Sequence, residues 1–138
     1  MPLIVKVYVD GSSRGNPGPA GIGIVVANQD DKVLLEHSEF LGSNFTNNQA
    51  EYMALMRALD ICSSLFPKGI LHVFSDSELL VKQLTGQYNV RSQSLKELFR
   101  EVRNKEKHFS KVYYHHVDRK HNRRADELAN KALEESVR

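Results

Sequence analysis

The stretch that decides the fold is Leu3-Ile4-Val5-Lys6-Val7-Tyr8-Val9-Asp10, followed at once by Gly11-Ser12-Ser13-Arg14-Gly15-Asn16-Pro17-Gly18-Pro19-Ala20-Gly21. Its first eight residues are mostly β-branched or aliphatic, the composition of a strand, and they deliver one carboxylate to the strand's C-terminal end. The glycine-rich run beyond Asp10 reads as a turn that takes the chain away. An acid at a strand end, with flexible backbone beside it, is well placed to hold a metal ion against a ligand. An isolated Asp-Gly is more often a surface turn, so the reading depends on whether other acids fall in similar settings.

Outward from this stretch, residues 22–26 and 33–41 read as two more strands joined across the polar cluster Asn28-Gln29-Asp30-Asp31, which predicts an antiparallel three-stranded meander. Thr46-Asn47-Asn48 offers side chains able to cap free backbone N–H groups, and a helix is predicted from there to about Leu65. Its apolar stripe is Leu55, Ala58, Leu59 and Cys62, and Pro67-Lys68-Gly69 ends it. Ile70-Leu71-His72-Val73-Phe74-Ser75-Asp76 is a second strand ending in acid. A short helix over 78–84 stops at Gly86. The next helix turns Leu95, Leu98, Phe99 and Val102 inward and Lys96, Arg100, Arg103 and Lys105 outward. Residues 112–117 form a fifth strand, and a last helix from about Arg123 buries Ala125, Leu128, Ala129, Ala132 and Leu133 at helical spacing. The order βββαβα(α)βα predicts an α/β fold: a five-stranded mixed sheet, three strands antiparallel and two parallel, flanked by helices. Helical crossovers make strands four and five run parallel to the first, so Asp10 and Asp76 emerge side by side at the edge where open α/β sheets bind ligands.

The 138 residues suit one domain, 1–138, long enough to bury a core without staples. Composition is that of a soluble globular protein, and the methionines read as core filler. Cys62 is the only cysteine, which excludes an internal disulfide and fits a reducing, cytoplasmic setting. No basic-then-apolar start reads as a signal peptide and no apolar run reaches spanning length, so no membrane role is expected. A net charge of +2 does not by itself announce a nucleic-acid binder, but Arg119, Lys120, Arg123 and Arg124 crowd into six positions.

Two more acids complete a pattern. Glu51 follows Asn47 and Asn48 by four and three residues, which puts all three on one face of the first helical turns. Asp126 lies in the first turn of the last helix, just after the basic cluster. Taken singly, Glu51 is a solvated helical acid and Asp126 a favourable charge at a positive helix end. Taken together, four acids without a packing role line one edge of the sheet. Their mutual repulsion calls for a cation, and hard divalent ions with oxygen ligands suit it. Two such ions about 4 Å apart can activate a water and stabilise the leaving oxygen of a phosphodiester. That chemistry hydrolyses nucleic acid, and it gives the basic cluster a purpose.

The sequence resembles the type 1 ribonuclease H family, enzymes that cut the RNA strand of RNA–DNA hybrids. The matching pieces are Asp10-Gly11-Ser12 with Gly15-Asn16-Pro17-Gly18, Thr46-Asn47-Asn48-Gln49-Ala50-Glu51, Ser75-Asp76-Ser77, and Asn122-Arg123-Arg124-Ala125-Asp126-Glu127-Leu128-Ala129. They span nearly the whole chain in the family's order. The resemblance implies a ribonuclease H-like fold, with Asp10, Glu51, Asp76 and Asp126 as the metal-binding catalytic acids. It implies two Mg²⁺ ions, with Mn²⁺ a possible substitute. Gly11, Ser12, Ser13, Asn16, Asn47 and Asn48 match positions that touch the substrate, Thr46 and Asn16 match a pocket for a phosphate of the DNA strand, and Asn122 is counted with the substrate contacts. A 2′-hydroxyl both donates and accepts, so asparagine amides and exposed backbone can tell RNA from DNA in a shallow A-like groove. Which of Asn47 and Asn48 caps the helix and which faces substrate is left open by the sequence.

Three departures from the family pattern stand out. The stretch His116-Val117-Asp118-Arg119-Lys120-His121-Asn122 is shorter than the glycine-containing histidine loop of many bacterial members and resembles compact archaeal-type relatives. Arg119 is therefore the candidate for handling product phosphate, with His121 and His116 behind it. The extra basic helical protrusion of some relatives is not expected here, and Glu78 stands where many relatives have Gln. The implied protein is a monomeric endoribonuclease acting on RNA–DNA hybrids, with double-stranded RNA open as a second substrate. The rival reading is a catalytically weak nucleic-acid-binding descendant of the fold, which retention of all four acids argues against. A P-loop is excluded because Gly-Lys-Ser/Thr is missing after Gly18, proofreading exonucleases want Asp-x-Glu where Asp10-Gly11-Ser12 stands, and one cysteine with scattered histidines gives a zinc site little support.

Overall fold

The computed structural model describes residues 3–136. Five strands, β1 (Ile4–Ser13), β2 (Gly18–Asn28), β3 (Val33–Phe45), β4 (Ile70–Ser75) and β5 (Lys111–His116), form one sheet in the order β3-β2-β1-β4-β5. The β1–β2 and β2–β3 pairs are antiparallel, and β1–β4 and β4–β5 are parallel, as the strand–helix order requires. Helices α1 (Asn47–Leu65), α2 (Glu78–Leu84) and α3 (Gln93–Glu106) cover one face, and α4 (Arg123–Ser136), entered through a 3₁₀ turn at Arg119–Asn122, packs on the other.

Strand alternation sets the core. Val5, Val7 and Val9 of β1, Ile22, Ile24 and Val26 of β2, and Leu71 and Val73 of β4 point to the α1 side. There they meet the predicted stripe Leu55, Ala58, Leu59 and Cys62, together with Tyr52, Ala54 and Met56. Met53 is partly buried against this core, and Met1 lies outside the described residues. Leu95 and Val102 of α3 are buried, and Leu98 and Phe99 are partly so. All five predicted residues of α4 are buried.

The glycine-rich run does not turn where the sequence suggests. β1 continues through Gly11, Ser12 and Ser13, paired with Ile22, Gly21 and Ala20, and the bend is confined to the residues between Ser13 and Gly18. The cause is β2, which offers a partner further along than β4 does. Two of the glycines serve close packing. A Cβ on Gly11 would lie 2.2 Å from the Ala50 carbonyl oxygen of α1, and one on Gly23 would lie 2.0 Å from the Ala125 carbonyl oxygen of α4. Both helices are seated directly on backbone.

Two predicted outward cations of α3 are engaged instead. Arg103 donates from Nη2 to the Leu84 carbonyl at 2.6 Å and from Nη1 to Glu106, and Lys105 pairs with Asp60 at 2.7 Å. Arginine and lysine reach neighbouring elements with their heads while their stems cover apolar surface.

Gly23→Ala should cost about 3 kcal/mol or more, at or beyond the upper end of core overpacking, because backbone stands in the way. Gly86→Ala meets nothing within 4 Å but has φ +81°, so only the left-handed strain of about 1–2 kcal/mol applies. Urea denaturation of both variants checks the order, and equal losses would contradict the packing role of Gly23.

Candidate active site

β1 and β4 part company just where their acids begin. Their last parallel pair is Tyr8 with Phe74, two residues before Asp10 and Asp76. Asp10 remains within the β1–β2 hairpin opposite Gly23 and is 5% exposed. Asp76 sits between β4 and α2, bracketed by serines. Ser75 Oγ accepts from the Ser77 N–H at 3.0 Å, and Ser77 Oγ caps α2 by accepting from the Leu80 N–H at 3.2 Å. Glu51 projects from the start of α1, where its Oε1 accepts from the Gly11 N–H at 2.6 Å. One carboxylate oxygen from each of Asp10, Glu51 and Asp76 lies within 4.8 Å of the other two. Asp126 arrives from α4 on the opposite face. Its charge bears on the Asp10 carboxyl, and it stands 4.0 Å from Arg119 Nη2. The four acids thus form a tight trio with Asp126 joined to it through Asp10.

Burial pushes Asp10 up to about 10, and the charges of Glu51, Asp76 and Asp126 push the same way. Burial likewise raises Glu51 to about 8, against the Gly11 N–H bond and the Arg119 charge, which pull it down. The donor set is all oxygen and carries surplus negative charge. That combination fits a hard divalent cation and disfavours soft metals.

The residues expected at the substrate cluster beside the trio and hold one another. Thr46 is the N-cap of α1, in a capping box with Gln49, which answers the capping question: neither asparagine does it. The Asn47 Oδ1 accepts from the Ser13 N–H at 2.9 Å, and the Asn16 Oδ1 accepts from the Asn47 N–H at 3.1 Å. The Ser13 hydroxyl donates to the Phe45 carbonyl at 2.8 Å. Each amide oxygen is spent on backbone, which leaves the NH₂ groups of Asn16 and Asn47 as donors. Asn48 is exposed and Ser12 partly so, while Gly11 is buried beneath α1.

Asn122 is placed differently from the expectation. It is 1% exposed, its Nδ2 donates to the Val9 carbonyl at 2.8 Å, and its Oδ1 has no partner. β4 has ended as a partner for β1 at this point, so the Val9 carbonyl would otherwise lack a donor. Asn122 therefore ties the 3₁₀ turn to the strand end that carries Asp10, beneath the site and out of reach of a surface ligand. In the basic cluster, Arg119, Lys120 and Arg123 are exposed, but Arg124 forks onto Glu36 with two 2.8 Å bonds and also reaches Glu127. His121 pairs with Asp118, and His116 ends β5. Sequence reasoning missed the backbone anchors, above all Gly11 N–H on Glu51, for which the sequence carries no local signal.

The raised acids have a consequence for stability. Between the ordinary carboxylate range, about 4, and the raised values, the folded state holds protons that the unfolded chain releases. Without divalent ions, stability should therefore fall as pH rises from about 4 toward 8. Asp10→Asn should flatten that fall and raise Tm at pH 8 by roughly 5 °C. Melting curves in chelator across this range test it, and a wild-type Tm that climbs with pH would contradict the repulsion.

Residues 8–132 match the family described as reverse transcriptase-like. A ribonuclease HI of Halobacterium salinarum is 39% identical over 132 residues, which is 96% of this chain and 65% of that protein. A bifunctional protein of Mycobacterium tuberculosis is 38% identical over 130 residues, 94% of this chain but 35% of that protein. The chain thus spans less than two thirds of the length of these relatives. Among solved structures, the N-terminal ribonuclease H domain of the mycobacterial protein superposes with a TM-score of 0.91 at 38% identity, covering 98% of this chain and 96% of that one. LC11 ribonuclease H1, isolated from compost and solved in complex with an RNA/DNA hybrid, gives 0.93 at 38% identity, covering 97% and 99%. Likeness of this extent, in both sequence and fold, makes this chain a member of the type 1 ribonuclease H family.

Proposed function

We propose that this chain is a metal-dependent endoribonuclease that hydrolyses the RNA strand of RNA–DNA hybrids. The observation that carries the proposal is the carboxylate trio of Asp10, Glu51 and Asp76, set against a rim of amide donors in a member of this family. Support comes from the Halobacterium relative, named a ribonuclease HI, and from LC11 ribonuclease H1, solved with a hybrid. The reading takes the protein to act as a monomer in the cytoplasm, with double-stranded RNA a second substrate to be tested beside the hybrid.

Asp10, Glu51, Asp76 and Asp126 would hold two Mg²⁺ ions, with Mn²⁺ as substitute, and the ions would supply charge for the scissile phosphodiester and a lowered pKa for the attacking water. The chain's own groups do the rest. Gly11 fixes Glu51 through its N–H, and the Ser75 and Ser77 caps fix Asp76, so the acids need no rearrangement to converge. The NH₂ groups of Asn16 and Asn47, the exposed Asn48 amide and the Ser12 and Ser13 segment face the minor groove of a hybrid and contact sugars next to the cut. Thr46 and Asn16 together take a phosphate of the DNA strand. Arg119, 4.0 Å from Asp126, stands where a departing phosphate gains a positive charge, and Lys120 and Arg123 extend that charge along the backbone. His121 is occupied by Asp118 and plays no direct part.

The decisive assay offers labelled RNA–DNA, RNA–RNA, single-stranded RNA and DNA duplex to the protein with Mg²⁺, Mn²⁺ or chelator. Cleavage of the hybrid with either ion and none in chelator is expected. Asp76→Asn should abolish it while hybrid binding persists, since the amide keeps the volume and loses the charge. Near-normal turnover by that variant, or efficient cutting of the DNA duplex, would overturn the reading.

Arg119→Ala should lower kcat by more than it raises KM, because its charge acts at the reacting or departing phosphate. His121→Ala should be nearly silent. A drop of about 10²-fold on losing His121, the scale of general acid–base assistance, would reverse the two roles.

A further inference from the structure

Two of the histidines that look scattered in the sequence meet on the sheet. His72 on β4 and His115 on β5 stand on the face away from the buried Leu71 and Val73. α4 packs chiefly on β1, β2 and β3 of that face, and both imidazoles are left half-buried. His72 Nδ1 lies 2.8 Å from His115 Nε2. The ring centroids are 5.1 Å apart and the planes 14° from parallel. That separation is the N···N distance plus one ring radius at each end, so the rings meet edge to edge with each nitrogen aimed at the other. Parallel aromatic neighbours hold both in place: Tyr113 beside His72 and Phe74 beside His115, with centroids 4.9 Å apart in each pair.

Two neutral imidazoles meeting in this way share one proton: an N–H of one donates to the lone pair of the other. The same contact presents two nitrogen ligands at nearly the spacing an ion needs. Two nitrogens bound to one Zn²⁺ at about 2.0–2.1 Å lie roughly 2.9–3.4 Å apart, according to the angle between them. The pair reaches that spacing by opening slightly and turning both lone pairs toward a common point above the sheet. The donor ring moves its proton to its far nitrogen, so a neutral pair takes an ion without releasing a proton. Burial, and after it the His72 charge, lower the His115 pKa, which favours the neutral form that ligates. The cations alongside are engaged elsewhere. Lys6, the register partner of His72, holds Asp31 at 2.9 Å, and Lys111 Nζ lies over the Tyr113 ring, 5.5 Å from its centroid.

We propose that His72 Nδ1 and His115 Nε2 form a metal site separate from the carboxylate trio, one that takes a borderline divalent ion such as Zn²⁺ or Cu²⁺ with water in its remaining positions. Imidazole suits these ions, whereas hard Mg²⁺ prefers oxygen ligands. The acids and the histidine pair therefore sort ions by ligand chemistry within one chain. No third acid, histidine or cysteine joins the pair among the described residues, so affinity rests on both rings and is lost with either. The ligands lie on adjacent strands, and a bound ion clips the edge strand β5 to β4.

The test is a Zn²⁺ titration of the intact chain, with Mg²⁺ in large excess to compete at the carboxylates, followed by NMR of the histidine ring nitrogens. No cleavage is involved, so its outcome is independent of the hydrolase proposal. His72 Nδ1 and His115 Nε2 should shift together and saturate at one ion per chain, at lower Zn²⁺ than the other four of the six histidines. With Cu²⁺ in place of Zn²⁺, electron paramagnetic resonance should show coupling to two imidazole nitrogens. His72→Gln and His115→Gln should each weaken binding by at least the tenfold that loss of an outer-shell partner costs, with hybrid cleavage in Mg²⁺ unchanged. The shifts of the unmutated chain carry the test if either variant folds poorly. Ring nitrogens of His72 and His115 that stay unmoved up to about 1 mM Zn²⁺, saturation of another histidine first, or undiminished affinity in both variants overturns the proposal.

Discussion

The contact between α1 and β1 at Gly11 is the constraint on which the rest of the site depends. A helix can approach a strand this closely only where the strand has no side chain, and the Ala50 carbonyl occupies the space a Cβ would need. The approach brings Glu51 within 2.6 Å of the Gly11 N–H. One glycine therefore does two things at once: it seats the longest helix, and it frees a backbone donor to hold Glu51, which partly counters the rise that burial imposes. The same device recurs on the other face. There Gly23 admits α4 backbone, and the closeness of that helix is what lets Asp126 reach Asp10 across the end of the sheet.

Once assembled, the trio works against the fold that assembles it. Burial and mutual charge raise Asp10 and Glu51, so above the carboxylate range the apoprotein carries an electrostatic cost with no buried counter-charge among the described residues. Arg119 offsets part of it, but its side chain is 81% exposed and 4.0 Å from Asp126, a geometry in which solvent screens most of the attraction. Under the proposed function, a site kept short of positive charge would bind a divalent ion with an affinity drawn from the relief of that repulsion. Stability is spent where the proposed chemistry needs it, and the surrounding caps on Ser75, Ser77 and Thr46 hold the acids in place meanwhile.

Much of this was legible in the sequence because it rests on local pattern. Period-two runs ending in Asp10 and Asp76, the cap at Thr46 and the i, i+3, i+4 stripe of α4 each have a physical signature a few residues long. What was not legible is long-range. The glycine run looked like a turn because nothing local says that β2 will extend β1 to Ser13. Arg103 looked solvated because its acceptor, the Leu84 carbonyl, lies on another element, and Arg124 looked free because Glu36 is 88 residues away. Asn122 looked like a surface group because polarity is local and burial is not. The stacking of Tyr8 on Phe74 and of Phe74 on His115 across three strands follows from their register, and register exists only after the sheet does.

The turn before α4 follows from the same economy. This chain passes from β5 to α4 through a 3₁₀ turn of four residues, Arg119–Asn122. Asp118 caps its start by accepting from the His121 N–H at 3.2 Å, and Asn122 pins its end to Val9. The backbone of Arg119 is thereby fixed relative to Asp10 from both sides, while its side chain stays in solvent. A flexible loop delivers a group to the phosphate by moving the chain; a pinned turn can deliver one only by rotating a long side chain. For the role proposed for Arg119, arginine, whose charge is permanent and whose reach is long, suits so short a connection.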